Sequence, residues 1–376
     1  MSRIAVALIA LVACQRKAED AAPRPAPPAP SAPPAPPAAP IAGITPVEAD
    51  FAIKDFAFAS GETLPELRMH YMTLGTPRRD AAGHVSNAVL IMHGTTGSGQ
   101  QFARKQFADE LFGKGQPLDA TRYYVILPDD IGHGRSSKPS DGLHAKFPRY
   151  GYRDMVAAEH ALVVDGLHVD HLRLVMGTWM GCMHAWMWAE QWPQAMDAVM
   201  PLACLPVQIA GRNREWRKLL ADAIRQDPAW RGGEYTEPPT AALRTAAALM
   251  AIAGSAPLAD QQRLPTRDAA DRAAEEAAQR FAHEDANDVL YSVESSSDYD
   301  PSAGLEAIIA PVTFVNSADD FINPPELGIA EREIKRAKRG KFILIPASEA
   351  THGHGTHTWA VFWKQYLSEL LDAPAR

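Results

Sequence analysis

The sequence predicts an α/β fold: a mostly parallel sheet with helices on both faces and an inserted helical cap. Three observations predict it. Short, continuous apolar runs recur along the chain, as strands buried on both faces read. Stretches of helical period separate them, and that alternation builds parallel sheets. From about residue 205 to 305 the alternation stops, and the chain becomes Ala-, Arg- and Glu-rich without a buried-strand run.

Taken in order, residues 51–58 and 66–74 read as a leading pair of strands. The runs 88–93, 123–128 and 172–176 are apolar throughout, and 198–202, 312–315 and 342–345 supply three more strands. Helical periodicity covers 101–112, 153–167, 180–191, 327–336 and 358–371. The 205–305 stretch, punctuated by Asp227-Pro228 and Arg231-Gly232-Gly233, reads as a cap set between two strands. The core is then 43–204 and 306–376.

What precedes the core reads as an address. Residues 1–14 have a basic start and a short apolar run ending Leu11-Val12-Ala13-Cys14. The run is too short to span a bilayer and suits a secretory signal. Its last four residues resemble a bacterial lipobox, which implies lipidation of Cys14. Residues 15–42 form a Pro/Ala-rich linker with ten prolines between Pro23 and Pro40. About 20 such residues reach roughly 60 Å in a polyproline-like conformation. Gln15, rather than Asp, follows the cysteine, and lipoprotein sorting then implies the outer membrane. The expectation is an exported protein, lipid-anchored at the cell envelope on the periplasmic side, touching the membrane only through the anchor.

Composition excludes other classes. With 46% hydrophobic and 22% charged residues, the 376-residue chain is neither disordered nor collagen-like. Its net charge of −8 argues against nucleic acid as a partner. Cys14, Cys182 and Cys204 are too few for a disulfide scaffold and lack metal-site spacing. Cys182 and Cys204 read as small buried packing residues.

Three strand ends carry chemistry. His93-Gly94-Thr95-Thr96-Gly97-Ser98-Gly99 follows a buried run, and a Gly-rich turn there can point amides into a cleft, as an oxyanion hole requires. The Gly-Lys-Ser/Thr ending of a phosphate loop is absent. Asp129-Asp130-Ile131-Gly132-His133-Gly134 is a tight polar turn, in which His133 reads as structural. Gly177-Thr178-Trp179-Met180-Gly181 passes from strand to helix in the context of the nucleophile elbow G-x-S-x-G, with Trp179 at its centre. An indole only donates a hydrogen bond. Downstream, Asp320 closes a strand and His354 follows the last one, the order of nucleophile, acid and base in a serine triad. His352, His354 and His357 approach a metal motif, but Thr356 stands where an Asp is needed, so no metal is expected. Trp188 and Trp192 fall at helical spacing and read as core.

On these motifs residues 73–371 resemble the α/β-hydrolase superfamily, and within it the homoserine O-acetyltransferase-like branch. Phe147-Pro148 before Asp154-Met155-Val156, Ala223-Ile224, Asp227-Pro228 with Trp230, Gly232-Gly233, Pro324-Pro325 and Gly353-His354 carry the resemblance. It implies Thr95 and Met180 as oxyanion-hole donors, Asp320 as the acid, His354 as the base and Trp179 at the nucleophile position. It implies acyl transfer through an acyl-serine, with a small-molecule ester or acyl compound as substrate and no cofactor; a homodimer is compatible with it. Ala221 falls where the transferases carry an Arg, and outside the cytoplasm acetyl-CoA is scarce. Ester hydrolysis is therefore expected over homoserine acetylation.

Trp179 leaves three readings open: a pseudo-enzyme that kept its pocket, a serine codon altered from TCG to TGG, or replacement by Thr178 or Cys182. Geometry disfavours the last, because only the elbow tip points into the pocket. A non-catalytic protein that binds a small molecule between cap and core is the rival from another class.

Overall fold

The computed structural model describes residues 40–372, so the signal, Cys14 and most of the linker lie outside the described residues. Eight strands run in chain order as β1 (Val47–Ala57), β2 (Thr63–Leu74), β3 (Ala88–Met92), β4 (Tyr124–Pro128), β5 (Leu174–Thr178), β6 (Val199–Leu202), β7 (Val312–Ser317) and β8 (Gly340–Ile345). They form one sheet in the order β1-β2-β4-β3-β5-β6-β7-β8. The β1–β2 and β2–β4 pairs are antiparallel and every other pair is parallel. The chain therefore has the α/β-hydrolase fold expected of it.

The helices are α1 (Lys105–Leu111), α2 (Tyr152–Ala161), α3 (Met180–Gln191), α4 (Gly211–Gln226), α5 (Thr240–Ala253), α6 (Pro257–Arg263), α7 (Arg267–Ala278), α8 (Ala286–Glu294), α9 (Ile329–Glu333) and α10 (Lys364–Leu371). Two apolar layers explain the continuous runs. In β3, Ala88, Leu90 and Met92 pack with Tyr152 of α2 and Trp186 of α3. Val89 and Ile91 pack on the opposite face with Phe107 of α1 and Leu367 of α10. A strand covered on both faces has no polar side, so its sequence shows no alternation. The helices α4, α5 and α8 between β6 and β7 add a third cluster, built on Trp216, Leu220 and Ile224 at four-residue spacing with Leu243 and Leu290.

Three helices differ from expectation, the 327–336 segment being α-helical only over Ile329–Glu333 with 3₁₀ turns on either side. The 101–112 segment is a 3₁₀ turn and α1, parted at Arg104, whose backbone is extended. The last helix starts at Lys364 rather than 358, after two 3₁₀ turns. Side-chain bonds hold those turns: the Thr356 hydroxyl accepts from the His352 amide (2.8 Å), and the Trp363 indole donates to the His357 carbonyl (3.1 Å).

The cysteines require a larger correction. Cys182 and Cys204 are both buried, but they are joined as a disulfide with Cα atoms 5.9 Å apart. Strands β5 and β6 are neighbours, so the first turn of α3 lies beside the chain leaving β6. Nothing in a 22-residue separation reveals that adjacency. Closing a loop of this length stabilises a fold by about 3 kcal/mol in the chain-entropy account.

Candidate active site

Trp179 sits on the turn between β5 and α3 with φ 52° and ψ −103°. That conformation strains a residue with a β-carbon, and the glycines on either side make it possible. A Cβ on Gly177 would strike the Gly181 carbonyl, and one on Gly181 would strike the Met92 carbonyl. The Trp179 amide donates to the Leu202 carbonyl (2.9 Å), and the Gly181 amide donates to the His93 carbonyl (2.8 Å). The second bond ties the elbow to the turn after β3.

The two expected oxyanion donors flank this point. Thr95 is buried on the turn after β3. Met180 opens α3, where the first-turn amides have no intrahelical acceptor. Gln101 braces the turn, its side-chain oxygen accepting from the Gly94 amide (3.2 Å) and its nitrogen donating to the Thr178 hydroxyl (2.8 Å).

Asp320 and His354 are brought together as expected. Asp320 Oδ2 lies 2.9 Å from His354 Nδ1, and both residues are buried. Asp320 also accepts from the Ile322 amide (2.8 Å), the Asn323 amide (3.0 Å) and Asn323 Nδ2 (3.1 Å). Burial pushes its pKa up, but the His354 charge and these bonds outweigh burial and hold it below the ordinary value. The adjacent Asp319 accepts from the Thr351 hydroxyl (2.7 Å) and the Gly353 amide (3.1 Å). One acid holds the imidazole; its neighbour holds the loop that carries it.

His354 Nε2 is buried and has no hydrogen-bond partner. The Trp179 indole packs edge-to-face on this imidazole, with ring centroids 4.9 Å apart, and its own N–H is also unpartnered. Trp179, His354, Thr95 and Trp216 line one cavity of about 400 Å³. A larger cavity of about 800 Å³ lies on the other side of Asp320 and touches neither Trp179 nor His354. The expected nucleophile position and base both line the smaller one.

The remaining histidines have other tasks. His357 donates to the His354 carbonyl (2.5 Å), and burial lowers its pKa to about 3. His352 stacks on Trp359. His133 donates to the Ile131 carbonyl (2.9 Å) and is held neutral by burial, with a pKa of about 3. Ala221 is buried in the α4–α5–α8 cluster.

Sequence reasoning passed over a buried polar trio. Asp130, Glu159 and His184 are buried, and their ligand atoms lie within 4.8 Å of one another. Among the described residues this is the one group with a metal-like donor arrangement. Its bonds suit a shared proton better. Glu159 accepts from His184 Nδ1 (2.8 Å) and from the Trp188 indole (2.7 Å), while both Asp130 oxygens lack a hydrogen bond and Oδ2 lies 3.6 Å from His93 Nε2 and 3.7 Å from His184 Nδ1. Burial raises Asp130 well above the ordinary carboxylate range and Glu159 to about 7, so one proton stays with the pair near neutrality. The signal in the sequence was His184 among the apolar residues that open α3.

Comparison with known proteins agrees with this fold. The alpha/beta hydrolase fold family matches residues 87–366. Homoserine O-acetyltransferase from Thermobifida fusca is 34% identical over 195 residues, which is 48% of this chain and 50% of that protein; the chain thus spans half the length of that relative. Homoserine O-acetyltransferase from Bacillus anthracis superposes with a TM-score of 0.77 at 20% identity, covering 88% of this chain and 99% of that one. An acetylester hydrolase from Corynebacterium glutamicum superposes with a TM-score of 0.76 at 21% identity, covering 88% and 97%. These two likenesses are of fold.

Proposed function

The chain belongs to the alpha/beta hydrolase fold family, and on that premise we propose that it derives from acyl-ester hydrolases and O-acyltransferases acting through an acyl-serine, with Trp179 standing where the nucleophile belongs. As the sequence stands it is inert in acyl transfer. The observation that carries this reading is the pairing of an oriented base with a blocked partner: Asp320 holds His354 at 2.9 Å, while Nε2 is unpartnered against the Trp179 indole.

With a serine at 179 the parts have defined roles. The serine oxygen attacks the ester carbonyl and its proton passes to His354 Nε2. The Thr95 and Met180 amides hold the oxyanion, and the imidazolium returns the proton to the departing alcohol. Water, deprotonated by the same imidazole, then releases the acid and regenerates the serine. Ester hydrolysis is favoured over acetylation of an amino acid, because Ala221 stands where the transferases carry an Arg and is buried among α4, α5 and α8. A small-molecule ester is the substrate class.

An exported site of action fits the same reading. A buried disulfide forms and persists in oxidising compartments, as a protein lipidated at Cys14 would meet in the periplasm.

The test is hydrolysis of 4-nitrophenyl acetate by the chain as it stands and by Trp179→Ser. The first should match buffer and the second should turn over. A folded but silent Trp179→Ser protein overturns the proposal.

A further inference from the structure

The charge on the catalytic cavity runs against that of the protein. The chain carries a net −8, yet no Asp or Glu lines the cavity that holds Trp179 and His354, whereas Arg104 and Arg280 both do. The two arginines come from separate parts of the chain. Arg104 stands between the turn after β3 and α1, and Arg280 follows the end of α7 in the insertion. Neither guanidinium has an ion pair or hydrogen bond with a described residue. Both arginines are exposed at the cavity, which Trp179, Trp216, Met250 and Phe281 also line together with Thr95, Thr96 and Gln101. A cleft whose charged side chains share one sign concentrates their field on an incoming ligand. A guanidinium is the side chain best matched to a carboxylate, through paired N–H donors.

We propose that Arg104 and Arg280 form an anion-recognising part of this cavity, selecting small esters that carry a carboxylate. The proposal rests on the ester-hydrolase reading for its substrate, though not for its binding step. A cavity of about 400 Å³ lies at the small end of ligand sites, which favours a compact carboxylic acid ester over a long acyl chain. A carboxylate between the two arginines is contacted from the core and from the insertion together, so it draws the two walls onto one ligand.

The experiment has two arms. In the first, Trp179→Ser is given 4-acetoxybenzoate and its neutral methyl ester, alone and combined with Arg104→Gln, Arg280→Gln or both. Hydrolysis yields acetate and the phenol from either compound. The expected result is a higher kcat/KM for the carboxylate, carried by KM. The anionic-to-neutral ratio should fall by about tenfold for each arginine removed, as for a hydrogen bond to a charged group. Sodium chloride at about 0.5 M should compress the ratio in the parent and leave it unmoved in the double variant. A ratio unaffected by the double substitution overturns the proposal and leaves the hydrolase reading intact.

The second arm uses the chain with Trp179 in place, where two cavity tryptophans report binding. 4-Hydroxybenzoate should quench their fluorescence saturably, its methyl ester should do so more weakly, and the double arginine variant should erase the difference. If Trp179→Ser hydrolyses neither ester, the hydrolase reading fails and this titration alone decides the anion site. Equal quenching by the two compounds overturns it.

Discussion

The imidazole of His354 is held on one side by Asp320 at 2.9 Å and closed on the other by the indole of Trp179, with ring centroids 4.9 Å apart. On the proposed reading, a base so oriented, and so blocked, makes position 179 the point at which the site is switched off. The chain as it stands should give no covalent adduct with a fluorophosphonate probe. Trp179→Ser should label at residue 179, and Trp179→Ser with His354→Ala should lose at least about 10³-fold in labelling rate. In-gel fluorescence with intact-mass analysis reads all three. Labelling of the unaltered chain would mean that Trp179 does not silence it.

Asp320 should matter more than its charge alone suggests. In the Trp179→Ser protein, Asp320→Asn should lower the hydrolysis rate by about 10³–10⁴-fold by releasing the imidazole from its working tautomer. Asp319→Asn acts on the Thr351 and Gly353 bonds of the loop, so its loss should be smaller and should reach the rate through the loop's position. Steady-state rates across pH distinguish them, since only Asp320→Asn should shift the pH profile.

The Cys182–Cys204 bridge should be visible without a structure. Non-reducing mass spectrometry should recover the two cysteines in one linked peptide pair. Cys182→Ala with Cys204→Ala should lower stability by about 3 kcal/mol. Chemical denaturation measures the loss; an unchanged midpoint would mean that packing alone holds α3 to the chain leaving β6.

Stability should carry the signature of Glu159. Burial raises its pKa from 4.5 to about 7 in the folded protein, so the fold binds a proton that the unfolded chain has released. The stabilisation is therefore fully present below about 4.5 and is lost as pH rises through about 7. Glu159→Gln cannot titrate. Its stability relative to the parent should climb between pH 5 and 8, as read by urea midpoints. Parallel curves would place the proton elsewhere.

Labelling with a clickable palmitate in a bacterial host should mark the full chain and miss Cys14→Ser. Equal labelling of the two would end the lipid-anchor proposal.

What could be read from the sequence follows from how far each feature depends on local order. Strands β3, β4 and β5 were legible because burial on both faces writes one uninterrupted apolar run. The elbow was legible because Gly177 and Gly181 are required by contacts within the turn and with β3 next to it. The 358–371 helix was read too long, because buried residues on successive 3₁₀ turns imitate helical spacing. Pairing of Cys182 with Cys204, and of Asp130 with Glu159 and His184, depends on which elements become neighbours. No spacing rule carries that. Arg104 and Arg280 were invisible for the same reason: one belongs to the core, the other to the insertion, and only the folded chain brings both to one cavity.

The 182–204 bridge also has a consequence for how the protein would come apart. It makes α3 and β6 the two arcs of one covalent ring, with the whole insertion issuing from the ring's far end. A protease cut anywhere inside the ring leaves both fragments attached. A cut beyond Cys204 leaves the ring itself closed, with Trp179 just ahead of it in the chain. Damage to the insertion therefore stops at a chemical knot before it reaches the turn that carries residue 179.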